Sequence, residues 1–135
     1  MAKMLIIEDD PAWRSLYLME FGKQFDVFEA NDGLQALAML DQVEPDIILL
    51  DLRLPRMDGL NFLRQMAAKG VRAPVVVCSG ALPEGPAPLQ DVHMAPKSGD
   101  LRDVRSAVRA AVQSAGVASR AGLAPEDTGE PEWLD

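Results

Sequence analysis

Cysteine is nearly missing from this chain: Cys78 stands alone in 135 residues. No disulfide can form within it, which suits a reducing compartment, and a lone cysteine closing the apolar run Val75-Val76-Val77 reads as a small buried side chain. Histidine is as scarce, and His93 by itself makes no zinc site. Positive charge is short too. Thirteen Lys and Arg face 21 Asp and Glu, a net charge of −8, and no basic stripe exists to neutralise phosphates, so nucleic acid is excluded as a direct partner. No apolar run approaches the roughly 20 residues of a membrane span, and the first residues lack the basic-then-apolar pattern of a signal peptide. A cytoplasmic protein away from membranes is expected. Aromatic residues are only 5% of the chain against 48% apolar residues, so the core must be aliphatic, in amount for one domain and not two.

The apolar residues come in short runs without polar alternation. Lys3 to Ile7 and Ile47 to Leu50 suit strands buried on both faces; Phe25 to Glu29, Val75 to Cys78 and a weaker Val92 to Ala95 complete five. Helical periods lie between them. Asp10 caps a helix that Pro11 starts and that runs to about Gly22. Asn31-Asp32-Gly33 turns into a second helix with Leu34, Leu37, Ala38 and Leu40 on one side, and Pro45 closes that unit. Gly59 to Lys69 carries Leu60, Leu63 and Met66 in period and stops at Gly70. Asp100 to about Ala115 does the same with Leu101, Val104, Val108, Ala111 and Val112. Met4, Met19, Met39 and Met66 read as core filler. The alternation of strand and helix implies an α/β, doubly wound, five-stranded parallel sheet.

Two segments stand outside that alternation. Gly80, Pro83, Gly85, Pro86, Pro88 and Pro96 crowd the fourth crossover, so a loop or a single turn is expected there in place of a helix. The folded domain is read as residues 1–115. Residues 116–135 form an acidic tail, with Arg120 against Glu126, Asp127, Glu130, Glu132 and Asp135, a net charge of −4. Such a tail is either disordered or, through Trp133 and Leu134, a docking segment.

Two strands end in acids. Glu8, Asp9 and Asp10 follow the first; Asp51 follows the third and is itself followed by Leu52-Arg53-Leu54-Pro55-Arg56-Met57-Asp58-Gly59. Ligands of parallel sheets bind just beyond the carboxyl ends of the strands. If the two strands are neighbours, three or four carboxylates converge, and their repulsion calls for a hard cation; carboxylate oxygens with open water positions suit Mg2+. The bland alternative, a helix N-cap cluster favoured by the helix dipole, fits Asp10 best. Ser79 alone would be a turn former and Lys97 alone a solvated lysine, yet each stands at the end of a further strand.

Taken together, these motifs resemble the receiver domain of two-component response regulators, with the flavodoxin-like fold of the chemotaxis regulator CheY. The likeness spans Lys3 to Ala115. It consists of an acidic pair after the first strand, an Asp after the third with Pro and Asp-Gly downstream, a hydroxyl residue after the fourth and a Lys after the fifth. The resemblance implies that Asp51 is the phosphoacceptor, Asp9 a direct Mg2+ ligand, Glu8 a ligand acting through water, and the Arg53 backbone carbonyl the completion of the metal shell. It further implies that Ser79 hydrogen-bonds the phosphoryl group and that Lys97 pairs with its oxygens or with Asp51. Gly80, beside Ser79, would leave the phosphoryl pocket open. The implied phosphodonor is a histidine kinase or a histidine phosphotransfer protein, and the signal passes to an unidentified downstream protein, with a homodimer left open. No output domain follows, so a single-domain regulator acting through protein–protein contacts is expected. It would be no enzyme beyond promoting its own phosphorylation and dephosphorylation.

The chain departs from that family in three places. Met94 occupies the position of the usual aromatic switch residue, with His93 beside it. Pro96 precedes Lys97, whereas receivers place a proline after the lysine. The Pro-rich stretch replaces a helix that many receivers use to meet partners. These departures keep open an alternative, a phosphorylation-independent protein-binding module on the receiver fold. A haloacid-dehalogenase-like phosphatase, the third class with an Asp nucleophile after a strand, needs a second Asp two residues on as its acid, and Arg53 stands there.

Overall fold

The computed structural model describes residues 1–80, 91–97 and 100–114. In chain order its elements are β1 (Lys3–Ile7), α1 (Pro11–Phe21), β2 (Asp26–Ala30), α2 (Gly33–Val43), β3 (Ile47–Leu50), α3 (Gly59–Ala68), β4 (Val75–Ser79), β5 (Val92–Pro96) and α4 (Arg102–Ser114). All strand pairs are parallel, in the order β2-β1-β3-β4-β5. This is the flavodoxin-like, doubly wound arrangement. The expected loop in the fourth crossover, at 81–90, and the acidic tail from 116 onward lie outside the described residues.

The sheet explains why its strands read as unbroken apolar runs. Along β1 and β3, Met4, Ile6, Ile47 and Leu49 face the layer of α1 and α4, where Tyr17, Phe21, Val104 and Val108 meet them. The alternate residues Leu5, Ile7, Ile48 and Leu50 face α2 and α3, against Leu40, Phe62, Leu63 and Met66. Both faces are covered, so no position along a central strand has a reason to be polar. Helix starts are set by acids: Asp10, Asp32 and Asp58 accept hydrogen bonds from the N–H groups of Ala12, Gln35 and Asn61 at 2.8, 2.7 and 2.8 Å. All five expected core positions of the last helix, from Leu101 to Val112, are buried.

Elsewhere the fold corrects the sequence reading. Strand β2 begins at Asp26, and Phe25 instead packs edge-on against Phe21 in the core. Ser79 is the last residue of β4, one position inside the strand. In α2 the inward stripe is Gly33, Ala36, Leu40 and Val43, while Leu34 and Ala38 are exposed. The phase is fixed by Gly33, which enters the helix against the loop after β3: a Cβ there would lie 2.2 Å from the Met57 carbonyl oxygen. Met19 is 76% exposed and no core filler, because α1 turns Trp13, Tyr17 and Phe21 inward at four-residue spacing and position 19 therefore points away.

Gly59 repeats the Gly33 device beside Asp51. Its N–H donates to the Leu52 carbonyl at 2.9 Å, and a Cβ would meet the Leu52 Cα at 2.7 Å and the Asp51 carbonyl oxygen at 2.8 Å. Those atoms are backbone and cannot step aside without moving Asp51. Gly59→Ala is therefore expected to cost about 2 kcal/mol in urea unfolding; a loss below about 0.5 kcal/mol would show that the loop yields freely.

Candidate functional site

The connections leaving β1 and β3 run to opposite faces of the sheet, and the acids gather in the crevice between them. Ile7 is paired with Leu50, so Glu8 and Asp51 stand side by side one step past the strand ends. Backbone bonds hold them there: Asp51 N–H donates to the Ile7 carbonyl at 3.0 Å and Glu8 N–H to the Ala30 carbonyl at 3.0 Å. On the other flank Ser79 is paired with Pro96, and Lys97 N–H donates to the Ser79 carbonyl at 3.2 Å. One oxygen from each of Glu8, Asp9 and Asp51 lies within 4.8 Å of the others. Glu8 and Asp51 are buried and Asp9 is exposed, which leaves the cluster open to solvent on one side. Lys97 reaches in with its Nζ 2.6 Å from Glu8 Oε1 and 3.4 Å from Asp51 Oδ2.

A family model of the response regulator receiver domain matches residues 4–86. The chain belongs to that family. It is 40% identical over 88 residues to the chemotaxis protein CheY of Listeria monocytogenes, covering 63% of this chain and 73% of that protein. It is 35% identical over 83 residues to sporulation initiation phosphotransferase F of Bacillus subtilis, covering 59% and 67%. Among solved structures, the receiver domain of the hybrid histidine kinase CckA superposes with a TM-score of 0.69 at 25% identity, over 82% of this chain and 99% of that one. The chemotaxis protein CheY4 of Vibrio cholerae superposes at 0.70 over 82% and 98%; at 19% identity it speaks for the fold alone.

In this receiver Lys97 pairs with Asp51 as the resemblance implied, and it has a second acidic partner that the sequence did not point to. Its nearest partner is Glu8, with Asp51 second, and it is 15% exposed. Burial works against the ammonium charge, but Glu8 and Asp51 together outweigh it and hold the Lys97 pKa above its ordinary value. Burial likewise pushes the Glu8 carboxyl up to about 7; Asp51 adds to the rise, while Lys97 and the Asp10 N–H oppose it. Two of the three clustered carboxylates, Glu8 and Asp51, thus share one ammonium, and the hard oxygen donors left over are what a small divalent cation takes. The donor set fits such an ion.

The other expected residues take their places around this core. Ser79 is fully buried and its Oγ has no hydrogen-bond partner among the described residues, so its hydroxyl is free to serve a ligand. A Cβ added at Gly80 would meet nothing within 4 Å among the described residues. Arg53 N–H donates to Asp51 Oδ1 at 3.2 Å, and the Arg53 side chain is exposed. Asp10 is absorbed as the α1 cap and is not one of the clustered acids. Met94 is half-buried against the layer of α2 and α3.

Three supporting residues had no clear signal in the sequence. Arg14 donates from Nη1 to the carbonyls of Glu8 (2.8 Å) and Asp9 (3.2 Å), tying down the loop that carries both acids. Arg56 adopts a left-handed backbone with φ 66° and its guanidinium grips Asp32 at 2.9 Å, pinning the loop after Asp51 to the cap of α2. A hydrogen bond from the Gln35 N–H, joined by Arg56, lowers the Asp32 pKa. Trp13 lies against the Lys97 ammonium.

Removing the ammonium leaves Glu8 and Asp51 facing each other unpaired. Without divalent metal, Lys97→Met is expected to lower stability by about 2 kcal/mol at about pH 8. The loss shrinks at about pH 5.5, where Glu8 holds a proton and the repulsion is gone. Equal losses at both pH values would mean that the lysine acts through packing alone.

Proposed function

We propose that this receiver is a Mg2+-dependent phosphoacceptor whose nucleophile is Asp51. The observation that carries the reading is the convergence of Glu8, Asp9 and Asp51 within 4.8 Å of one another, with the Lys97 ammonium on Glu8 and Asp51. Asp9 and Asp51 would hold the cation directly, Glu8 through water, and the Arg53 carbonyl would complete the shell. A bound cation supplies charge neutralisation where phosphoryl oxygens must approach a carboxylate. An Asp51 oxygen attacks phosphorus, the bond from phosphorus to the donor's imidazole nitrogen breaks, and that nitrogen leaves with its electron pair. Lys97 Nζ stabilises the charge on the transferring oxygens and Ser79 Oγ donates a hydrogen bond to one of them. The donor is a histidine kinase or a histidine phosphotransfer protein, and the output is a changed protein–protein contact in the cytoplasm. The chain catalyses nothing beyond its own phosphorylation and dephosphorylation.

Intact mass after incubation with acetyl phosphate tests this. A single phosphoryl adduct is expected in the wild type, requiring Mg2+ and vanishing in Asp51→Asn. No adduct, even with a phosphorylated donor protein present, would favour the phosphorylation-independent binding module, for which Met94 at the switch position speaks. The pH response is a second check. Glu8 has a folded pKa near 7, above its ordinary 4.5, so the metal-free fold loses stability as pH rises between those values. Since the cation needs Glu8 ionised, the apparent Mg2+ affinity should rise up to about tenfold per pH unit below about 7 and then level off. An affinity independent of pH between about 5.5 and 8 would place Glu8 outside the metal shell.

A further inference from the structure

The Lys97 ammonium has a third neighbour that the acidic cluster does not account for. Its Nζ lies 5.0 Å from the centroid of the Trp13 ring, inside the roughly 6 Å reach of a cation–π contact. The ring is a braced wall. It meets Tyr17, one helical turn further along α1, in a tilted contact at 5.8 Å and 35°, and packs on the core layer that Tyr17 and Phe21 fill. It also belongs to the helix that begins directly after Glu8, Asp9 and Asp10, and Arg14 beside it binds the carbonyls of the two acids. Ring and acids therefore move as one piece.

The three contacts of the ammonium differ in what competes for them. A divalent cation needs Glu8, the nearest at 2.6 Å, and also Asp51, at 3.4 Å. A dication and its waters draw on the same carboxylates, so its arrival weakens the ammonium's hold on them. A strongly hydrated dication takes oxygen and leaves the indole face alone. Lysine has a flexible four-carbon stem and an ammonium that water solvates well, so without a hold it would leave the pocket. We propose that Trp13 is a positioning residue: its indole face retains the Lys97 ammonium beside Asp51 once a divalent cation competes for Glu8 and Asp51, keeping it in place for the phosphoryl oxygens. This rests on the phosphoacceptor reading above.

Two readouts on the full chain test the role. The Lys97 ε-methylene signals in a 1H–13C correlation spectrum, assigned with Lys97→Met, should be shifted upfield by the indole ring. They should stay shifted at saturating Mg2+, shift less in Trp13→Phe and lose the effect in Trp13→Leu. Phosphorylation by acetyl phosphate at saturating Mg2+, below the melting point of every variant, should fall about fivefold in Trp13→Leu and about twofold in Trp13→Phe. The Mg2+ midpoint should change little. A merely structural role would make the rates follow the melting points and leave the Lys97 signals unmoved between Phe and Leu. A wild-type Lys97 signal that returns to the solvent-exposed value on adding Mg2+ overturns the proposal, as does a Trp13→Leu rate equal to the wild type. A wild type that takes no phosphoryl group at all overturns the reading on which the proposal rests.

Discussion

Repulsion among Glu8, Asp9 and Asp51 is the constraint on which this structure turns. The sheet imposes it: β1 and β3 are neighbours in register, so acids placed just past both strands must meet. The Asp51 N–H bond to Ile7 and the Glu8 N–H bond to Ala30 fix the backbone of two of them, and Arg14 holds the Asp9 carbonyl. Lys97 offsets one charge of three. The remainder is an under-neutralised carboxylate pocket, a local cost in stability that the proposed cation would offset.

The rest of the domain serves to hold that pocket still. Two layers of aliphatic packing fix the strand ends, and three Asp caps start helices close to them. The loop after Asp51 is held by small-residue contacts at Gly33 and Gly59 and by the Arg56–Asp32 grip. The loop before α1 is held by Arg14. These contacts hold the two loops that carry the acids, and a displacement there would be felt in the proposed metal shell, which demands near-octahedral geometry.

What the sequence disclosed follows from how local each determinant is. Unbroken apolar runs announced strands covered on both faces, and Leu101 to Val112 announced the inward stripe of α4, because both patterns report burial directly. The phase of α2 was missed since it depends on Gly33 meeting the Met57 carbonyl, a contact between segments far apart in the chain. Met19 was misplaced because its neighbours Tyr17 and Phe21 claim the buried face of α1. The acids could be placed from strand ends alone. The choice of Lys97 between Glu8 and Asp51 could not, since it turns on less than an ångström of side-chain reach. Trp13 lies two residues past Pro11, where an aromatic reads as ordinary core, and only the fold brings it to Lys97.

The claim that the pocket is built for a divalent cation is tested most directly by thermal unfolding of the unphosphorylated protein with MgCl2 and with NaCl at matched ionic strength. A cation bound only by the folded state adds stability that grows with the logarithm of its concentration. The account predicts a melting point that climbs steadily with MgCl2, while matched NaCl has little effect on these buried charges. Equal shifts in the two salts would mean ordinary screening and would contradict the metal site.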